Sequence, residues 1–331
     1  MYYKKEFIYI LFLNISIHLY AQSFAPQVGF EGNLAIHKDS IVFVDWAKEI
    51  TIYRGYKNIE NPNLGIVDYG EPENALNQAD GNPNIISLGD SGIAILQFNY
   101  PVTNKNGPDF AVFENGFLKE PNSPLAFLEL AFVEVSTDGI EYVRFPAISE
   151  IPTDNQVDSF GFIDARYIHN FAGKYINNYG TPFDLDAVSG LTENTTVDIN
   201  NINYIKIIDA TGTINPEYAS YDAQNNIVND PFPTAFSSGG FDLDAVGVIH
   251  NTQNTTETTF LQVYPNPFMN KIYIQTINLV VKKVQLFSID GKFILEKNNP
   301  NYINTITLNS GIYILKVETN KTNSVFKLIK K

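Results

Sequence analysis

Apolar residues along most of this chain alternate with polar residues in short runs, the period of a β-strand with one buried face. Gly, Pro, Asn and Asp interrupt almost every window in which a helical period is tested. The predicted strands before residue 250 are Ser40–Val44, Glu49–Tyr53, Ile93–Phe98, Phe110–Phe113, Leu128–Ser136, Tyr142–Phe145, Tyr204–Ile208 and Phe241–Ile249. Because long polar loops separate them, residues 22–249 are predicted to form an all-β body, a jelly-roll-like β-sandwich.

A second series of strands follows a polar, Thr- and Asn-rich segment at residues 250–260, which is typical of a linker. Asp290-Gly291 supplies a two-residue hairpin turn within this series. The predicted strands are Lys271–Thr276, Lys283–Ser288, Lys292–Glu296, Asn304–Leu308, Gly311–Glu318 and Ser324–Ile329. Residues 261–331 are therefore predicted to form a small immunoglobulin-like β-sandwich.

The start of the chain has the pattern of a secretory signal peptide. Lys4 and Lys5 precede an apolar run at residues 7–19, and Ala21 is a small residue suited to cleavage. The run is shorter than the ~20 apolar residues that span a bilayer. We expect residues 1–21 to be removed on export, and no other stretch is apolar enough to give the mature protein a transmembrane segment.

Charge is distributed unevenly along the chain. It carries 36 acidic and 22 basic residues, a formal net charge of −14, and no cysteine. Residues 23–257 hold 32 acids against 10 bases, whereas residues 258–331 hold 3 acids against 10 bases. An acidic body does not suit a nucleic-acid partner, because a phosphate backbone needs a basic surface. The absence of cysteine excludes disulfides, thiolate zinc sites and thiol nucleophiles.

The C-terminal segment resembles the sorting domain of proteins exported by the type IX secretion system of Gram-negative bacteria. The likeness rests on Tyr264-Pro265-Asn266-Pro267-Phe268, Leu286-Phe287-Ser288-Ile289-Asp290-Gly291-Lys292, Leu308-Asn309-Ser310-Gly311-Ile312-Tyr313 and the basic end at residues 327–331. The resemblance implies a cargo that crosses the outer membrane and is secreted or displayed at the cell surface. It also implies that the export machinery reads this tail as an address and often removes it.

Several strings of the body resemble a family of exported bacterial cell-surface proteins. They are Ser87-Leu88-Gly89, the run at residues 107–117, the run at residues 129–139, the run at residues 230–236 and the run at residues 238–246. The resemblance implies a surface-displayed β-sandwich that captures a ligand. Some members are associated with corrinoid uptake, which makes capture of a corrinoid (cobalamin) for a TonB-dependent importer an alternative function.

The string Phe-Asp-Leu-Asp-Ala-Val occurs twice, at residues 183–188 and 241–246. In a regular strand Phe241, Leu243 and Ala245 share one face, and the two aspartates share the other. Two carboxylates on one face repel each other unless a cation or an arginine lies between them. Calcium binds six to eight oxygens, so a Ca²⁺ site is one hypothesis for these aspartates; the alternative is that one of them caps a neighbouring loop and the other is solvated. The metal-ligand candidates are Asp109, Asp209, Asp242 and Asp244.

Tyrosines in the loops favour ligand binding over catalysis. Aromatic rings beside amide and carboxyl groups are typical of shallow sites that bind sugars or planar ligands. The ligand-binding candidates are Glu114, Asn115, Tyr218 and Tyr221. A glycan-active hydrolase is the alternative, and it needs two carboxyl groups that act together. Glu129 and Glu134 are an odd number of positions apart, so they point to opposite faces of a regular strand and do not form such a pair there. The sequence predicts a surface protein that recognises a glycan or another extracellular ligand.

Overall fold

The structure, a computed structural model, describes residues 24–81, 84–193, 195–234, 236–253 and 259–331. The predicted signal peptide at residues 1–21 lies outside the described residues, as does the middle of the predicted linker. Most of the regular structure is β-strand, so the predicted all-β fold class of two successive sandwiches is confirmed. The short 3₁₀-helices are Pro62–Leu64, Pro72–Ala75, Ala165–Tyr167 and Leu185–Leu191. No helix among the described residues is long and apolar enough to cross a membrane.

Two antiparallel sheets form the main sandwich of the body. In chain order the body strands are β1 (Ile36–His37), β2 (Asp45–Trp46), β3 (Glu49–Tyr53), β4 (Ile86–Ser87), β5 (Ile93–Val102), β6 (Phe110–Glu114), β7 (Phe117–Leu118), β8 (Leu125–Phe127), β9 (Ala131–Ser136), β10 (Val143–Arg144), β11 (Ile148–Ser149), β12 (Ile163–Asp164), β13 (Ile168–His169), β14 (Tyr179–Phe183), β15 (Ile202–Asp209) and β16 (Asp242–Val248). One sheet has the order β1-β14-β6-β16-β2, with β4 also on β16, and the other has the order β10-β9-β15-β5-β3. Two smaller sheets are also present. In one, β11 pairs with β13, and the other has the strand order β12-β8-β7.

The main core lies between the two large sheets. Phe110 and Val112 of β6 pack there with Val133 of β9 and with Ile205 and Ile207 of β15, and each of these side chains is almost fully buried. These residues alternate along their strands, as a sheet with one buried face requires. Burying each such side chain stabilises the fold by about 1.5–3 kcal/mol. The packed core therefore keeps the ends of the strands in fixed positions.

A β-bulge interrupts strand β16 at Asp244. Leu243 lies opposite Glu114 and Ala245 lies opposite Phe113, so two steps on β16 match one step on β6. The extra residue reverses the alternation of side chains beyond it. Ala245 consequently packs with Phe113 in a small cluster on the other face of the sheet from Leu243. The prediction that Phe241, Leu243 and Ala245 share one face is wrong for Ala245.

The repeated string adopts two different structures. Residues 242–246 of one copy form part of β16, whereas residues 183–188 leave β14 and enter the 3₁₀-helix Leu185–Leu191. The neighbouring strand β6 begins at Phe110, opposite Phe183, so no strand partner exists beyond that point. The Asp109 carboxylate accepts the Leu185 N–H at 2.9 Å instead. Strand pairing, and not the string itself, decides the local structure.

The C-terminal tail is a second, smaller sandwich. Its strands are β17 (Phe260–Tyr264), β18 (Lys271–Ile277), β19 (Val281–Ser288), β20 (Phe293–Asn298), β21 (Tyr302–Asn304), β22 (Gly311–Thr319) and β23 (Asn323–Lys330). They form sheets of order β17-β18-β21 and β20-β19-β22-β23 around a core of their own. Gly291, at φ +83°, occupies the left-handed position of the predicted hairpin turn between β19 and β20.

The segment between body and tail is anchored on both sides. His250 and Asn251, the first residues of the predicted linker, are 3% exposed, and the His250 Nδ1 lies 2.8 Å from Asp109 Oδ1. At the far side, Phe260 of β17 packs in an apolar cluster with Ile36 and Ile249 of the body. The body therefore extends past its predicted end at residue 249, and the tail begins in contact with it.

Candidate functional site

A surface pocket of about 230 Å³ opens where β16 and the small sheet β12-β8-β7 meet. We call it the acidic pocket, since the carboxyl groups of Glu129 and Asp242 line it together with the Asn115 amide. Four phenylalanines also line it: Phe117, Phe127, Phe160 and Phe236. The site thus combines two buried acids with an aromatic wall.

The aromatic wall consists of two ring pairs. Phe117 and Phe127 lie directly opposite each other on β7 and β8, and their rings stack with centroids 5.1 Å apart. Phe160 and Phe236 come from two loops, with centroids 5.8 Å apart. Phe117, Phe160 and Phe236 are 52%, 67% and 46% exposed. Exposed apolar side chains are normally scattered singly over a protein surface. Several of them around one pocket are typical of a binding surface.

Asp242, the first residue of β16, is held by two side chains. The Ser87 hydroxyl donates to its Oδ1 at 2.5 Å, and the Asn115 amide donates to its Oδ2 at 3.1 Å. Burial raises the pKa of Asp242 from 3.8 to about 7, and these hydrogen bonds lower it only in part. The carboxyl is therefore divided between its two protonation states near neutral pH.

Glu129 lies in the irregular segment between β8 and β9, and its side chain is 5% exposed. Leu128 and Leu130 on either side are buried in the apolar cluster that joins the small sheets, which turns Glu129 toward the pocket. Its carboxyl accepts no hydrogen bond from the described residues. Burial raises its pKa well above the usual value, and the neighbouring carboxyls of Asp242 and Glu114 raise it further. Within the described part of the chain, Glu129 is thus a nearly buried carboxyl with no hydrogen-bond donor beside it.

Glu114, at the end of β6, lies close behind these two carboxyls. Its Oε2 accepts the Gly116 N–H at 2.8 Å, while its Oε1 is buried and has no partner among the described residues. Burial raises the pKa of Glu114 well above the usual value, and the proximity of Asp242 raises it further. None of the ion pairs among the described residues includes Glu114, Glu129 or Asp242.

Two more buried aspartates hold the backbone beside the pocket acids. Asp230 Oδ2 accepts the Leu130 N–H at 2.8 Å, next to Glu129. Asp209 Oδ1 accepts the Phe241 N–H at 2.8 Å, next to Asp242, and its Oδ2 accepts the Ser91 N–H. Burial raises the pKa of both aspartates well above the usual value. These hydrogen bonds fix the backbone next to Glu129 and Asp242. Asp209 and Asp230 do not line the pocket themselves.

The structure brings three of the predicted site residues together. Asn115 and Asp242 line the acidic pocket and Glu114 adjoins them, whereas Tyr218 and Tyr221 lie in the loop between β15 and β16 and do not line it. Glu129 and the phenylalanine wall were missed as ligand-binding candidates. The sequence does contain a signal for Glu129: it lies between two apolar residues, Leu128 and Leu130, just before a buried strand.

The four predicted metal ligands do not converge on one point, although Asp209 lies next to Asp242. Asp109 precedes β6 and Glu114 ends it, so Asp109 and the pocket acids are separated by the length of a strand, about 17 Å. Asp209 bonds to the backbone, and Asp244 lies on the bulge with an Oδ2 that no described residue hydrogen-bonds. Within the described part of the chain, no three His, Cys, Asp or Glu side chains are arranged to hold a metal ion.

Comparison with known proteins gives a family match for the tail, which is described after the results for the whole chain. None of the curated proteins matches the chain. Among solved structures, the apo structure of Bacteroides uniformis beta-glucuronidase 3 is similar, with 11% identity over 88% of this chain and 35% of that one, and a TM-score of 0.29. The chain thus spans about a third of that protein's length.

Residues 262–331 match the family described as secretion system C-terminal sorting domain. This match confirms the type IX sorting domain that the sequence predicted, and with it an interaction with the type IX secretion machinery. The strands β18 to β23 lie within the matched residues. The C-terminal sandwich is a type IX secretion sorting domain, and the protein that carries it is secreted or displayed at the cell surface.

Proposed function

We propose that the exported body binds an extracellular glycan in the acidic pocket. The observation that supports this function is the combination of two phenylalanine pairs with the polar groups of Asn115, Glu129 and Asp242. A sugar ring has apolar faces that stack on aromatic rings and hydroxyls that bond to carboxyl and amide groups. The cavity of about 230 Å³ suits one ring of a glycan. It is far smaller than a corrinoid, whose capture stays a prediction from the resemblance alone.

Replacing Phe160 or Phe236 with Ala is expected to weaken glycan binding about tenfold each, or about 1.4 kcal/mol. Each substitution removes one ring of the exposed wall, so the loss reflects stacking and not folding. The measurement is a glycan array with the mature chain, followed by titration calorimetry of the best ligand. Phe293→Ala is the matched control, since Phe293 is 53% exposed but lies in the tail. Equal binding by all of these proteins contradicts the assignment.

A glycan-active hydrolase is the second candidate, and the paired carboxyls of Glu129 and Asp242 favour it. Glycosidases use two carboxyl groups, one of which has a raised pKa and acts as the acid. Both groups here have raised pKa values. The distinguishing experiment is to incubate the bound glycan with the mature chain and to measure new reducing ends. Turnover that disappears in Glu129→Gln assigns hydrolysis, and binding without turnover assigns recognition.

A calcium ion that stabilises the body stays a prediction. It is supported by the excess of acids in residues 23–257 and by the Oδ2 of Asp244, which has no hydrogen-bond partner among the described residues. If carboxylates of the body bind Ca²⁺, EDTA is expected to lower the melting temperature of the mature chain by several degrees. Calcium added in excess of the chelator restores it, and magnesium does not. A melting temperature unchanged by EDTA contradicts the prediction.

A further inference from the structure

We propose that the acidic pocket selects an amino sugar, whose primary ammonium group lies against the carboxyls of Glu129 and Asp242 while its ring lies between the phenylalanine pairs. This inference rests on the proposed glycan-binding function and names the class of sugar. The ligand differs from a neutral glycan in one group only.

The floor of the pocket has acceptors and no cation. Glu129 is 5% exposed and accepts no hydrogen bond from the described residues, and the Oε1 of Glu114 is buried without a partner. No lysine, arginine or histidine of the described chain pairs with Glu114, Glu129 or Asp242. A neutral hydroxyl satisfies one acceptor but brings no positive charge, so it does not stabilise the ionised form of these carboxyls. An ammonium group donates three hydrogen bonds and supplies the missing positive charge.

The wall of the pocket favours the same ligand. Phenylalanine offers a sugar no hydrogen bond, but the face of each ring is electrically negative and attracts a cation. Four such rings surround the acids: Phe117, Phe127, Phe160 and Phe236. A calcium ion gains little here, because it needs six to eight oxygen ligands and phenyl rings provide none. An organic ammonium uses both the carboxyls and the rings.

Proton release gives a second readout. The carboxyls that face Glu129 are Asp242, Glu114, Asp230 and Asp209, and all of them are acids whose pKa values are raised. A bound ammonium favours their ionised forms, so protons leave the protein when the ligand binds. Titration calorimetry in two buffers of different ionisation enthalpy, both near pH 6 so that the sugar amine is already protonated before it binds, measures that release directly. A neutral sugar of the same shape is expected to release none.

The test compares three β-1,4-linked tetrasaccharides that differ only at the sugar's second carbon: those of glucose, N-acetylglucosamine and glucosamine. The full mature chain is expected to bind the glucosamine tetramer at least about tenfold more tightly than the other two. Glu129→Gln is expected to reduce this preference to about twofold or less, while Phe160→Ala weakens all three ligands by loss of stacking and the glucosamine tetramer most, because it also loses the attraction of its ammonium group to the ring. Glu193→Gln is the matched control, because Glu193 is exposed and does not line the pocket.

The outcomes separate the two proposals. Equal affinity for the three tetramers overturns the amino-sugar assignment and leaves glycan binding in place. The same holds if Glu129→Gln and Glu193→Gln lower the preference for glucosamine equally. A preference lowered equally by both variants reports general attraction of a cation to the acidic body. Binding to none of the three, together with an empty glycan array, overturns the proposed function itself.

Discussion

Replacing Asp109 with Ala is expected to lower the melting temperature of the protein by roughly 6 to 20 °C. Asp109 is fully buried and accepts the backbone N–H groups of Lys105 and Leu185, each at 2.9 Å, while its Oδ1 also contacts His250. Alanine removes the acceptor of the buried Leu185 N–H, of the half-buried Lys105 N–H and of the buried His250 imidazole. Removing one partner from a buried polar network costs about 3–5 kcal/mol, and each kcal/mol shifts the melting temperature of a domain this size by about 2–4 °C.

Thermal unfolding followed by circular dichroism checks this result. Asp109→Asn keeps the shape and one acceptor, so its loss is expected to be smaller than that of Asp109→Ala. Asp154→Ala is the control for removal of a negative charge, because Asp154 is exposed. If Asp109→Ala melts within about 2 °C of the unaltered protein, Asp109 does not hold this end of the sandwich together.

Replacing Asp242 with Asn is expected to have the opposite sign and to stabilise the protein by about 2–4 kcal/mol at pH 8. Burial raises the pKa of Asp242 from 3.8 to about 7, so the folded state must bury a charge at pH 8 that the unfolded chain keeps in water. Each pKa unit corresponds to about 1.4 kcal/mol. Asparagine preserves the bond from Ser87, and rotation of the Asn115 amide restores the second bond.

The pH dependence follows from the sign of the pKa change. A raised pKa means that the folded state binds more protons than the unfolded state, so the unaltered protein loses stability as the pH rises. The gain from Asp242→Asn is therefore expected to be absent below about pH 4, to grow up to about pH 7 and to level off above it. Urea unfolding at pH 4 and pH 8 measures both limits. An equal effect at the two pH values shows that Asp242 is not a destabilising acid.

Much of the strand pattern was predictable because it depends on local alternation. Glu49–Tyr53 was predicted to the residue, since exposed and partly buried side chains alternate along it. Ser40–Val44 does not form a strand: the Phe43 N–H bonds to the Ser40 carbonyl at 3.3 Å and closes a turn. The paired residues are Asp45–Trp46 instead. The string repeated at residues 183–188 and 241–246 shows the same limit, because two identical hexapeptides take the structure that their neighbours permit.

The candidate site was less predictable because it depends on contacts between distant segments. Asp242 and Asn115 are far apart in the chain, and their closeness follows from the pairing of β16 with β6. Asp109 was grouped with them by residue type, but it lies at the other end of β6. The bulge at Asp244 has no local signal in a string that elsewhere forms a helix. Burial of Glu129, which gives the pocket its chemistry, is a tertiary property.

If the tail is removed during export, as the resemblance to sorting domains implies, the position of Phe260 affects the stability of the body that remains. Phe260 belongs to β17 but packs against Ile36, Val42 and Ile249 of the body. Proteolysis before residue 260 takes this ring away and leaves an apolar hole in the remaining protein, at a cost of about 3–5 kcal/mol. Proteolysis after residue 260 leaves the ring in place but deprives it of its strand partner Ile277. The released body is therefore more durable when the cleavage site lies on the tail side of Phe260.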